Sequence, residues 1–223
     1  MLRLTRQDLD IPAGDRQYAI SDSYTLPVDL DVFTVQPHAH YLAREMRGFA
    51  RLPDQTIKWL VYIKRWDFDW QDVYQYSAPI ALPAGATLVM EYTYDNSTGN
   101  RRNPHVPPKR TTYGQQTSDE MAEMWFQVVP RSARDRAALS ASLTAKVLRE
   151  EIKGRRAMLA KDPGNVALRD DLAVMLADIG DAGAAAQEFA ATLRLRPESA
   201  AARYNVGAAL LRSPSSPLSL AVE

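Results

Sequence analysis

Thr87-Leu88-Val89-Met90-Glu91-Tyr92-Thr93-Tyr94, residues 87–94, decides the fold class. Leu88, Met90, Tyr92 and Tyr94 alternate with Thr87, Val89, Glu91 and Thr93, and this period of two is the signature of a strand with one apolar face. Upstream, Lys58-Trp59-Leu60-Val61-Tyr62-Ile63-Lys64 is a short apolar run held between two lysines, which predicts a buried strand rather than a helix. Turn chemistry separates such runs at Pro53-Asp54, Pro83-Ala84-Gly85 and Asp95-Asn96-Ser97-Thr98-Gly99-Asn100. Short strands parted in this way predict an antiparallel β-sandwich, jelly-roll-like in form.

The pattern ends near Pro130. Residues 1–130 hold all four Trp, all three His and most of the Tyr, whereas residues 131–223 are rich in Ala, Leu and Arg. Two domains follow, a sandwich over 1–130 and a helical region over 131–223. From Ser132 to about Ala160 there is no Pro, and Leu139, Leu143, Val147 and Ile152 form an apolar stripe until Asp162-Pro163-Gly164-Asn165 breaks the helix. Pro163 and Pro197 are 34 residues apart, the period of a tetratricopeptide repeat. In that register Leu172, Ala173, Leu176, Ala185 and Phe189 take the repeat's small and apolar positions, while Arg169 replaces its aromatic residue. A second unit starts at Asn205-Val206-Gly207 and stops at Arg212-Ser213-Pro214. The expectation is a tetratricopeptide-like helical hairpin region of one and a half units.

Composition narrows the chemistry. The 223 residues balance 27 basic against 27 acidic side chains, which argues against a nucleic-acid binder working through bulk charge. Thirteen basic and 16 acidic residues precede the break, and 14 and 11 follow it, so the halves differ only mildly. With no cysteine, disulfides, thiolate zinc sites, Fe–S clusters and cysteine nucleophiles are all excluded. No apolar run approaches the roughly 18–20 residues of a membrane span, and Met1-Leu2-Arg3-Leu4-Thr5-Arg6-Gln7 is too polar for a signal peptide. Any His-based metal chemistry must use His38, His40 and His105.

His38-Ala39-His40 lies at the end of a readable strand. Thr34, Gln36, His38 and His40 share one face, and Phe33, Val35, Pro37, Ala39 and Tyr41 the other. Imidazoles at i and i+2 point the same way and are able to chelate one ion; two surface histidines are the alternative. Met121 bears on the choice. Ala122, Met124, Phe126 and Val128 are the apolar set of their strand, and Met121 falls instead with Glu123, Trp125 and Gln127. A thioether beside two imidazoles is a soft donor set that favours copper, above all Cu(I). Nothing in the pattern by itself brings Met121 to the histidines.

Val35-Gln36-Pro37-His38-Ala39-His40-Tyr41-Leu42, then Tyr94-Asp95-Asn96-Ser97 with Asn100, then Thr117-Ser118-Asp119-Glu120-Met121 occur in an order that resembles one family. Residues 5–130 are similar to the C-terminal catalytic domain of the copper type II, ascorbate-dependent monooxygenases. That family includes the peptidylglycine α-hydroxylating and dopamine β-monooxygenases, and bacterial relatives followed by tetratricopeptide repeats. The resemblance implies one copper held by His38, His40 and Met121, with O2 as co-substrate and hydroxylation of an activated C–H bond in a small organic substrate. It also implies ascorbate as electron donor and a second copper, on an N-terminal domain or partner, held by three histidines. Family members mostly work outside the cytoplasm, in periplasmic or extracellular settings.

Some positions depart from the best-known relatives. The peptide-amidating enzyme has arginine where Gln36 stands, and asparagine and tyrosine where Glu123 and Trp125 stand. A peptide carboxylate would lose its cation there and meet an acid, whereas Glu123 with Trp125 suits a cationic amine. Arg101, Arg102, Lys109 and Arg110 read as a solvated loop, Asn96-Ser97-Thr98 as a β-turn, and His105 as a loop residue. Asp67-Phe68-Asp69-Trp70 with Asp72 resembles a calcium loop without its Gly and terminal Glu. Two alternatives stand beside an oxygen-activating domain: a copper-binding module without turnover, and a tetratricopeptide interaction module.

Overall fold

The computed structural model describes residues 1–212; Ser213-Pro214, where the second helical unit was expected to stop, lie outside them. The chain divides into two compact units, Met1–Glu150 and Glu151–Glu223. The first contains ten strands: β1 (Leu2–Thr5), β2 (Asp10–Ile11), β3 (Tyr18–Thr25), β4 (Leu30–His38), β5 (Ala43–Arg51), β6 (Ile57–Ile63), β7 (Tyr74–Leu82), β8 (Thr87–Tyr94), β9 (Thr111–Thr112) and β10 (Glu123–Pro130). Two four-stranded antiparallel sheets run β1-β10-β4-β7 and β3-β8-β5-β6, and β2 pairs with β9.

The alternation in residues 87–94 becomes β8, and Leu88, Met90, Tyr92 and Tyr94 are all buried. The sheets face each other across these side chains. A Cβ on Gly48 of β5 would come within 2.5 Å of the Met124 sulfur on β10, so the Met124 side chain of one sheet lies directly on the Gly48 backbone of the other. Ahead of β8, Gly85 takes φ 81° and the Ala86 amide donates to the Pro83 carbonyl at 3.1 Å, a tight turn whose third residue must be left-handed.

The Lys58–Lys64 run is a strand, as expected, but it is an edge strand and largely uncovered. β6 pairs only with β5, and Trp59 is 53% exposed. A register shift between Gly48 and Phe49 sets Trp59 opposite Phe49 and Tyr62 opposite Arg47. The two aromatic rings stack on each other at 5.7 Å instead of entering the core. Further shifts between Val32 and Thr34 and between Gln127 and Val128 break the strict alternation, which leaves Phe33 and Val128 only half-buried.

α1 (Ala133–Lys161) begins where expected, with Ser132 and Asp135 exchanging hydrogen bonds at its start. α2 (Val166–Asp178), α3 (Ala182–Leu195) and α4 (Ala200–Arg212) follow in the second unit, α2 packing on α3 and α3 on α4. Leu172, Ala173, Leu176, Ala185 and Phe189 are all buried in one cluster. Arg169 pairs with Glu188 at 2.6 Å. Among the described residues no helix is long and apolar enough to cross a membrane.

Candidate metal centre

β4 delivers His38 at its last residue, and the chain turns through Ala39-His40 before β5. The two rings stand edge to face, 5.3 Å apart and 83° inclined. Each has one nitrogen committed. His38 Nδ1 meets the Gln71 side-chain oxygen at 2.6 Å, while the Gln71 amide nitrogen donates to the Phe68 carbonyl at 3.0 Å. His40 Nδ1 meets the Asp119 carbonyl at 3.1 Å. Both partners are acceptors, so each Nδ1 carries the proton and each Nε2 keeps its lone pair for a ligand. Phe68 packs edge-on against His40 at 5.8 Å and against Tyr41 at 4.4 Å.

The segment carrying His40 is gripped along its backbone. Trp66 Nε1 donates to the His40 carbonyl at 3.1 Å, Asn100 Nδ2 to the Tyr41 carbonyl at 3.2 Å, and the Asp95 amide to the Leu42 carbonyl at 2.8 Å. Asn96 is wholly buried and donates to the Pro12 carbonyl at 3.0 Å and the Lys109 carbonyl at 2.7 Å. The Asp95–Asn100 turn is therefore scaffolding for the histidine segment, and its sequon asparagine is spent on backbone.

The backbones of Met121 and His40 are tied together through Glu120. One carboxylate oxygen of Glu120 accepts the amides of both His40 and Met121, the latter at 2.8 Å, and the other accepts Leu42 at 2.9 Å. A shared acceptor sets the two residues side by side, which strand periodicity had no means of indicating. Burial pushes the Glu120 pKa up to about 8, against the three amides that pull it down. Burial also lowers the pKa of His40, outweighing the Asp119 carbonyl, and this favours the neutral ring that a metal requires. The described residues contain no cluster of three or more His, Cys, Asp or Glu.

A comparison with protein families identifies the domain. Residues 11–136 match the copper type II ascorbate-dependent monooxygenase, C-terminal domain. The chain belongs to that family. No curated protein matches it closely enough to add to this. The match covers the segments that carry the two histidines and Met121, though not β1, and the family is copper- and ascorbate-dependent by its description.

The remaining expected residues of this monooxygenase domain lie on the strands that lead to the site. Across β1, β10 and β4, Arg3 stands opposite Trp125 and Trp125 opposite Gln36, while Thr5 stands opposite Glu123 and Glu123 opposite His38. Glu123 accepts from Trp125 Nε1 at 3.0 Å and lies 3.6 Å from the Arg3 guanidinium, which covers the Trp125 ring at 5.0 Å. Arg3 thus supplies the cation that an amine was expected to bring to Glu123. Alternation of Leu2 and Leu4 around Arg3 was the available signal. His105 is a loop residue whose Nε2 meets the Ser118 carbonyl at 3.2 Å, so it braces the segment leading to Met121. Asp67 pairs with Arg102 and Asp69 lies 3.3 Å from it, which occupies the acids of the calcium-like loop. Gln71 and Trp66 carried no sequence signal, since the loop has no periodicity and neither belongs to its acidic, calcium-like pattern.

Proposed function

We propose that residues 1–130 form a jelly-roll-like β-sandwich domain that holds one copper through His38, His40 and Met121 and activates O2 beside a small organic substrate. The observation that carries this reading is the pair of imidazoles with Nδ1–H groups fixed on Asp119 and Gln71, together with the Glu120 oxygen that accepts the backbone amides of both His40 and Met121. When bound, copper supplies one-electron chemistry and an O2 site. The protein orients two Nε2 lone pairs, offers a soft sulfur that favours Cu(I), and presents Gln36, Glu123 and Trp125 as the adjoining wall. With Glu123 balanced by Arg3, that wall has no spare anion for an ammonium group. The reaction would place one oxygen atom of O2 in a C–H bond and release the other as water, taking two electrons from ascorbate and two protons.

The second reading is a copper-binding domain that needs a partner to turn over. It is favoured by His105, the third histidine, being tied to Ser118. The chain then offers histidines for one copper, and an N-terminal copper domain or partner protein relays the electrons. The helices of residues 131–223 are proposed as a tetratricopeptide-like region, with Leu172, Ala173, Leu176, Ala185 and Phe189 as its packing positions.

The test is Cu(I) titration with X-ray absorption on wild type and Met121→Ala. One-to-one binding with a sulfur scatterer lost in the variant is expected. Binding that survives removal of both His38 and His40 overturns the assignment. Ascorbate-dependent O2 consumption, alone and with an N-terminal copper domain added, then separates enzyme from binder.

A further inference from the structure

Glu120 is fully buried, and its contacts among the described residues are backbone amides rather than a cation. A buried carboxylate without a counter-charge is costly, and it is retained where several donors need one acceptor between them. Here those donors are His40, Leu42 and Met121. Two lie on the segment after β4, and the third on the segment before β10. The backbone of Glu120 is itself anchored, its amide on the Thr112 carbonyl and its carbonyl on the Gly114 amide, each at 3.3 Å. The side chain therefore starts from a fixed base and reaches across to the histidine segment.

We propose that Glu120 is the positioning residue of the metal centre: its two oxygens set the Met121 thioether against the His40 imidazole. This rests on the copper reading of His38, His40 and Met121. Glu120 is not a ligand; it acts through the backbone of two ligands. An apolar residue of equal volume would fill the space and strand three amides, and the two ligand segments would lose their common register.

Two measurements test this, one of them on metal-free protein. Amide hydrogen exchange on wild type is expected to find His40, Leu42 and Met121 protected, and Glu120→Ala to lose protection at all three together. With Cu(I) as probe, Glu120→Ala is expected to lose the sulfur scatterer and to bind about 10–100-fold more weakly, the range for residues that orient metal ligands. Combining it with Met121→Ala then weakens binding no further, because both changes remove one interaction. Glu120→Gln keeps a single acceptor oxygen, so it retains the sulfur scatterer while exchange at Leu42 accelerates; this variant decides the matter if Glu120→Ala does not fold. Unchanged exchange rates in Glu120→Gln overturn the proposal, as does an unchanged sulfur scatterer and affinity in Glu120→Ala. If wild type takes up no Cu(I), the copper reading fails and this inference falls with it. If wild type binds with sulfur and the Glu120 variants do so equally, this inference fails alone.

Discussion

Tyr94 donates its phenol to the carbonyl of Met121 at 2.9 Å, from one sheet to the segment that leads into a strand of the other. Tyr92, two residues earlier on β8, does the same to the Glu123 carbonyl at 2.5 Å. The alternation that makes β8 a strand thus also carries two hydroxyls to the backbone of Met121 and Glu123. Tyr94→Phe keeps the ring and removes the donor. A buried acceptor left without its partner costs about 1–3 kcal/mol, so urea unfolding should shift by that amount. A shift indistinguishable from zero would mean that water or another donor replaces the phenol.

Gly114 marks a second dependence. A Cβ there would come within 2.0 Å of the Asp119 carboxylate and 2.9 Å of its Cβ, so Asp119 packs directly on the glycine. The Asp119 carbonyl is the acceptor for His40 Nδ1. Gly114→Ala has to push Asp119 away, at a cost of about 1–3 kcal/mol for overpacking. The expected result is a lower melting temperature together with weaker Cu(I) binding. Full copper affinity in a folded Gly114→Ala protein would uncouple Asp119 from the histidine.

Tyr76 supplies a pH dependence away from the site. Its phenol donates to the Leu60 carbonyl at 3.0 Å, and burial raises its pKa to about 12. A group raised in this way contributes stability that is intact below the ordinary tyrosine value of about 10 and is lost as pH climbs towards the folded value. Between those limits the unfolded chain gives up its proton first. The absorbance titration of wild type minus Tyr76→Phe should contain one phenol with a midpoint near 12. A midpoint near 10 would place that hydroxyl in water.

Much of this was legible in the residues themselves. β8 and the helix from Ser132 follow from periodicity and turn chemistry, because each of those signals is local, whereas the compact units part at Glu150–Glu151, inside that helix, and not at Pro130. The nearness of the two histidine rings was also expected locally, from i and i+2 on a strand, but β4 ends at His38 and His40 stands beyond it, with the rings 5.3 Å apart. Contacts between segments were not: Glu120 lies 80 residues from His40, and its three amide bonds leave no trace in spacing. The outward turn of Trp59 and the half-burial of Phe33 arise from register shifts, which a strict alternation cannot encode. Arg3 over Trp125 needed β1 to be recognised as a strand before its register had meaning.

The helical unit has its own check at Asn165. Its side-chain oxygen accepts the Leu168 amide at 3.0 Å and caps α2, while its amide nitrogen meets Asp162 at 3.1 Å. Asn165→Ala removes an N-cap, for which about 1 kcal/mol is usual. A lower melting temperature, with copper binding by His38 and His40 unchanged, is the expected outcome. Loss of copper binding would tie the cap to the metal centre.

Gln71 gives the sharpest separation of site from fold. It is exposed, and its side chain joins His38 Nδ1 to the Phe68 carbonyl. Removing it deletes no buried surface, so Gln71→Ala should fold and melt like wild type. His38 loses the acceptor that fixes its tautomer, and both ring nitrogens then compete for the proton. Partners of this kind are worth about 10–100-fold in metal affinity, and an exposed one belongs at the lower end. Competition against a Cu(I) chelator should therefore give a loss of about tenfold. His105→Ala, which leaves both His38 and His40 in place, should keep one copper per chain. Wild-type affinity in Gln71→Ala would mean that the strand alone orients His38, and that the loop over it serves another purpose.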